Sequence, residues 1–157
     1  MKKITLLSTI ALLIASLGLS ACSSTTPTPP TATPSSPVGG LGGTSWRLTS
    51  YGPTDAQQPA APDVETELTF NMNGEVSGNL GCNGFGGNYS AEGQQVTFRD
   101  IIATMMACEE PRMTQETTAF QVMQGTVNYT IAGQAGDTLI ITDASDTTLT
   151  FAQTVSP

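Results

Sequence analysis

The stretch from Val64 to Leu80 commits this chain to an antiparallel sheet. Val64, Leu68, Phe70 and Met72 alternate with Glu65, Glu67, Thr69 and Asn71. Strand side chains point to opposite faces in turn, so this is the period of a half-buried strand. Asn73-Gly74 follows, the strongest short hairpin signal, because both turn positions favour positive φ. Val76, Gly78 and Leu80 carry the alternation onto a return strand. The same parity places Cys82 on the inward face.

Further strands are written in the same period. Trp46 and Leu48 alternate with Arg47 and Thr49 until Tyr51-Gly52-Pro53 ends the run. Thr54 to Pro62 reads as a polar loop. Beyond Gly81 to Gly87, Asn88-Tyr89-Ser90 is a short strand, Glu92-Gly93 a turn, and Val96 and Phe98 mark another strand. Ile101 to Cys108 is apolar and Met-rich, which predicts a buried and partly extended segment. Pro111 suits a first helical turn, and Gly125 a position just past a helix end. Between them Met113, Glu116, Phe120 and Met123 recur at helical spacing, predicting one helix from Pro111 to Gln124. Three more strands centre on Val127-x-Tyr129-x-Ile131, Leu139-x-Ile141 and Leu149-x-Phe151. The expected fold is mainly β: a small antiparallel β-barrel-like or strongly curved sheet of about seven to eight strands, with one packed α-helix.

The first third of the chain has another character. Met1-Lys2-Lys3 is basic, Ile4 to Leu19 is apolar, and Leu19-Ser20-Ala21-Cys22 follows. This pattern is a secretory signal, and the cysteine makes it resemble the lipobox of bacterial lipoproteins. The resemblance implies removal of residues 1–21 and acylation of Cys22, which would hold the protein on a membrane without a spanning helix. An ordinary signal with a chance cysteine remains the alternative. Ser23 in place of Asp implies sorting to the outer membrane, facing the periplasm. Ser23 to Gly43 is Ser/Thr/Pro/Gly-rich and uncharged, too poor in apolar side chains to fold. It reads as a linker over 22–43, with a reach on the order of 60 Å if fully extended, leading to a folded domain over 44–153.

Loss of the signal also removes Lys2 and Lys3. Arg47, Arg99 and Arg112 then face thirteen Asp and Glu, an excess of ten negative charges. No basic stripe exists for nucleic acid, and anionic headgroups would repel the domain. With Cys22 acylated, Cys82 and Cys108 remain. In an oxidising compartment a leftover pair bonds. The closed loop of about 27 residues would contribute roughly 3–4 kcal/mol. Two reduced, buried cysteines are the open alternative.

Taken together, several of these residues are similar to a known family. They are Trp46-x-Leu48, Leu68-Thr69-Phe70, Gly78-x-x-Gly81-Cys82-Asn83, Gly87-x-Tyr89 and Thr104-x-Met106-Ala107-Cys108, with Gln115-Glu116, Tyr129-x-Ile131 and Leu139-x-Ile141. The pattern resembles the META domain of HslJ-like heat-shock lipoproteins and covers Thr44 to Phe151. The resemblance implies a small β-barrel-like fold with one helix. It also implies an envelope role tied to heat shock and novobiocin resistance. It supplies no catalytic residues.

The residues themselves offer little chemistry. The chain has no histidine, which excludes Ser-His-Asp and Cys-His machinery and imidazole metal sites. Cys82 as a nucleophile would need a thiolate and a base; a structural disulfide is the better reading. Glu109 and Glu110 could pair with Asp100 for acid–base work, but they suit the helix N-terminus better. Gly81 to Gly87 lacks the Lys-Ser/Thr ending of a phosphate loop. A tight bend, with Gly and Asn in left-handed or crowded positions, accounts for it. Asp143, Ser145 and Asp146 lack the full ligand set of a calcium loop. Met105, Met106, Met113 and Met123 read as plastic core rather than a copper site. The expectation is therefore a monomeric, non-enzymatic envelope lipoprotein with no metal or cofactor. Its partners would be the membrane, through lipid on Cys22, and an envelope protein or small apolar ligand. A secreted module that inhibits a hydrolase such as a protease or lysozyme is the alternative.

Overall fold

In a computed structural model, residues 40–154 are described. The signal segment, Cys22 and most of the expected linker lie outside them. The order of elements is β1 (Thr44–Pro53), β2 (Gln58–Pro59), β3 (Glu67–Phe70), β4 (Glu75–Asn79), β5 (Gly84–Glu92), β6 (Gln95–Ala103), α1 (Arg112–Val122), β7 (Gly125–Ala132), β8 (Thr138–Thr142) and β9 (Thr147–Thr154). Consecutive strands pair antiparallel, and β1 also pairs with β9 from Ser45↔Thr154 to Pro53↔Thr147. That last ladder closes an eight-stranded barrel. The two-residue β2 pairs with Ser50 and Tyr51, on the edge of β1 that β3 takes at Thr44–Trp46.

Closure removes the free edges of the sheet and turns one face of every strand inward. Trp46, Leu68, Phe70, Val76, Val96, Leu139, Ile141, Leu149 and Phe151 fill the interior, each at an inward position of the alternation seen in the sequence. Phe70 meets Tyr89 edge-on at 4.8 Å between ring centroids. The up-and-down order places the 54–66, 80–83, 104–124 and 143–146 connections at one end. The helix belongs to that end, where Ala119, Val122 and Met123 extend the core. At the other end Leu41 is fully buried and accepts the Thr44 N–H at 3.1 Å. Leu41, assigned to the linker on composition, therefore belongs to the folded core.

Four local expectations need correction. The β3–β4 turn has three residues rather than two. Asn71 N–H donates to Glu75 O, Gly74 N–H donates to Asn71 O, and Gly74 alone of the pair has positive φ, +87°. This is a tight turn with glycine in the left-handed position. It takes Met72 off the strand and leaves it exposed. Val64 likewise lies outside the ladder, because β3 begins only at Glu67. The segment expected to be buried at Ile101 to Cys108 is extended only to Ala103, and Ile102, Met105 and Met106 face solvent. Finally, the helix is shorter than its periodicity suggests, Arg112–Val122 within the expected 111–124.

Candidate functional site

Three of the family-like motifs, Gly81-Cys82-Asn83, Thr104-x-Met106-Ala107-Cys108 and Gln115-Glu116, converge at the helical end of the barrel. Leu80 to Asn83 connects β4 to β5, and Asn79 shapes this bend by accepting the Gly81 N–H at 2.9 Å. The helix passes so close that a Cβ on Gly81 would lie 2.5 Å from Arg112 O and 2.7 Å from Glu116 Cβ. Glycine is needed here for proximity. None of Gly81, Gly84, Gly86 and Gly87 has positive φ, so the left-handed half of the expectation fails and the crowded half holds. Nor is the stretch only a bend, since β5 begins at Gly84.

Two consecutive helix residues are buried and polar. Gln115 Oε1 accepts the Ala61 N–H at 2.7 Å, and its Nε2 donates to Leu80 O at 2.7 Å. Glu116 Oε2 accepts the backbone N–H groups of Cys82, at 2.7 Å, and of Asn83. Glu116 Oε1 accepts Asn83 Nδ2 at 2.7 Å. A buried carboxylate is costly unless hydrogen-bonded, and three donors from one bend meet that demand. The other side of Asn83 holds the strap between β6 and α1. Its Oδ1 accepts Met106 N–H at 2.7 Å and Thr104 Oγ1–H at 2.9 Å, and its Nδ2 also donates to Met106 O at 3.2 Å. One side chain thus pins the strap to the bend and the bend to the helix.

Cys82 and Cys108 are bonded, with Cα atoms 5.9 Å apart. Cys82 is buried and Cys108 half-buried. The disulfide ties the far end of the same strap to the same bend. Of the two open readings of the cysteines, the structure selects the bonded one. Cys22 lies outside the described residues.

The other candidates separate. Glu110 Oε2 accepts the Thr114 N–H at 3.0 Å, so it caps the first turn of α1. Asp100 sits on β6, where its carboxylate faces Asn88 Nδ2 at 3.5 Å. Asp143 accepts the Ser145 and Thr147 N–H groups at 2.8 and 2.9 Å, which closes its own turn. Among the described residues no three carboxylates or thiols group as metal ligands, and no helix is long and apolar enough to cross a membrane. Residue-by-residue reading missed the roles of Gln115, Glu116 and Asn83. The signal was present: Glu116 falls on the apolar stripe with Met113, Phe120 and Met123, and a carboxylate there requires donors from outside its helix.

Comparison with known proteins follows this geometry. The META-domain family profile matches residues 39–156. No curated protein matches. Among solved structures, an NMR structure of a Burkholderia xenovorans protein is 22% identical, with a TM-score of 0.63 over 74% of this chain and 85% of that one. A second NMR structure is 20% identical, with a TM-score of 0.55 over 71% and 90% of the two chains. A crystal structure of a DUF4847 family protein from Bacteroides vulgatus is 14% identical, with a TM-score of 0.51 over 74% and 96%. At these identities the likeness is one of fold.

Proposed function

Because the chain belongs to the META-domain family, we propose that it is a non-enzymatic, lipid-anchored envelope protein of the HslJ-like kind. Its role in this reading is stress response or envelope maintenance, including tolerance of heat and novobiocin-type antibiotics. Cys22 carries the lipid and the acidic domain projects from the outer membrane into the periplasm. One observation carries the non-enzymatic reading. The polar side chains of the motif region, Asn83, Gln115 and Glu116, each hold backbone groups of the fold, and Cys82 is bonded. The filled interior further supports recognition on the outer surface, and so a protein partner over an enclosed apolar ligand.

A deletion strain tests this. Growth under heat and novobiocin should fall, and return with the wild-type gene but not with Cys22→Ser, which should leave an unprocessed precursor. Normal growth of the deletion under both stresses would overturn the role. Normal processing of Cys22→Ser would overturn the anchor. Stoichiometric co-purification of a protease or lysozyme would favour the inhibitor reading instead.

A further inference from the structure

A shallow trough runs along the outer face of the barrel between β3 and β6. Its floor is made by β4 and β5, where Ser77, Gly78, Gly84 and Gly86 present almost no side chain and Asn79 is the one large polar residue. One wall carries Glu65 and Glu67, and the other carries Ile102. The trough continues toward the β3–β4 turn over the same Ser77, Gly86 and Ile102, where Glu75 stands on the floor and Asp100 on the β6 wall. The titratable residues lining it are carboxylates, and Arg99 stands at its margin opposite Asn88.

The dimensions suit one polypeptide strand. β3 and β6 stand three strand spacings apart, about 14 Å, and five residues of β4 span roughly 17 Å. The apolar wall is prepared in advance. Ile102, on that wall, is 76% exposed, and Met105 on the adjoining strap is 98% exposed. An exposed apolar side chain beside a concave, polar-rimmed floor offers a partner one place to bury apolar surface. Here the backbone of the strap is pinned, through Met106 to Asn83 and through Cys108 to Cys82. A partner would therefore lose little free energy to ordering this surface.

We propose that this trough docks an extended segment of a cationic protein, in which apolar residues alternate with Lys or Arg. The alternate side chains of such a strand would divide between the Ile102 wall with its mostly small-residue floor and the carboxylates of both walls. Charge complementarity selects this occupant, since four carboxylates repel phosphate and anionic lipid headgroups. A glycan is disfavoured because, among the described residues, the large exposed apolar side chains are Met72, Ile102, Met105 and Met106, none of them an aromatic plate. The proposal rests on the binding-module reading above and names its partner class.

The test uses the purified full chain in detergent and a fluorescein-labelled, end-capped Lys-Leu-Lys-Leu-Lys-Leu peptide, read by anisotropy. The peptide should bind, and a Glu-Leu counterpart should not. Ile102→Ser should weaken binding at least about tenfold, the scale of one lost apolar burial. The double variant Glu65→Lys, Glu67→Lys should weaken it about tenfold or more. Asp55→Lys, an exposed charge outside the trough, should stay within about twofold. All three sites are exposed, and thermal melts confirm that the variants fold. Amide shifts on binding should centre on Ser77, Gly84 and Gly86. No binding overturns the proposal, as does equal weakening by Asp55→Lys, which would mean only general charge attraction. Occlusion of Ile102 by self-association in sedimentation, or preference for phosphatidylglycerol vesicles over the peptide, also overturns it. Peptide failure with an intact deletion phenotype discards the trough alone. Peptide binding without a deletion phenotype discards the stress role alone.

Discussion

Glu116 follows Cys82 by 34 residues, yet its carboxylate accepts the Cys82 backbone N–H at 2.7 Å. The same oxygen takes the next N–H, of Asn83, and the other oxygen takes the Asn83 side-chain amide. This cluster makes the β4–β5 bend, the helix and the strap one unit. In it a buried charge is satisfied by backbone groups that would otherwise lack partners.

Glu116→Gln turns one acceptor oxygen into an N–H₂ that faces donors. A buried group left unsatisfied costs about 1–3 kcal/mol, so the variant should lose about that much stability in urea unfolding. At about 4–8 °C per kcal/mol, the melting temperature should fall by several degrees. An unchanged midpoint would show that the cluster contributes nothing.

Two glycines of the Gly81 to Gly87 stretch should behave oppositely. Gly81→Ala places a methyl 2.5 Å from Arg112 O, so the helix must move, at about 1–3 kcal/mol as for other overpacking. At Gly84 the nearest atom to an added Cβ is Gly78 O at 4.0 Å. Gly84→Ala should fall within about 0.5 kcal/mol of wild type, as other unconstrained surface changes do. Paired thermal melts decide it, and equal losses would contradict the close approach at Gly81.

The unreduced protein should show no free thiol at Cys82 or Cys108 by alkylation and mass spectrometry. Replacing both with Ser should lower stability by roughly 3–4 kcal/mol, the loop-closure scale for this separation. Far-UV circular dichroism should remain native, because neither cysteine belongs to a strand ladder. Alkylation of both residues without reductant would refute the bond.

Alkaline unfolding should be steep. Burial raises the pKa of Tyr89 above the ordinary 10.0, with a further upward push from Tyr129, and burial raises that of Tyr129 too. The folded state then holds these protons more tightly than the unfolded state. Their contribution is constant below pH 10 and is lost as pH rises through the folded-state values. Tyr89 also donates to Asn71 O at 2.9 Å, a bond that ends on ionisation. Denaturation followed from pH 8 to 12 should show stability falling only above about pH 10, and less steeply in Tyr89→Phe and Tyr129→Phe. A decline setting in near pH 8 would exclude this origin.

How far the fold was legible depends on how local each signal is. Leu68, Phe70 and Val76 are buried as their alternation says, because a strand's own pleat assigns its faces. Met72 and Val64 obey the same parity and lie outside the ladder. The loop length and pairing partner decide where the ladder begins and ends, and neither is written in the period. Met105 and Met106 look like core by composition. They are exposed because the strap's backbone is held by Asn83 and Cys82, which leaves their side chains turned outward. In the site, the Gly-Cys-Asn and Gln-Glu pairs were visible as motifs. Their hydrogen bonds were not, because each crosses 20 or more residues.

The sequence by itself determined the element types, the inward face of most strands and the helix between Pro111 and Gly125. These follow from period and turn chemistry, which act over a few residues. Tertiary structure alone decided that β1 closes on β9 and that Leu41 belongs to the core. It also decided that a carboxylate on the helix is the keystone of the bend. The physical reason is common to all three: each meets a need, for edge pairing, apolar cover or hydrogen-bond donors, that arises only once distant segments are brought together.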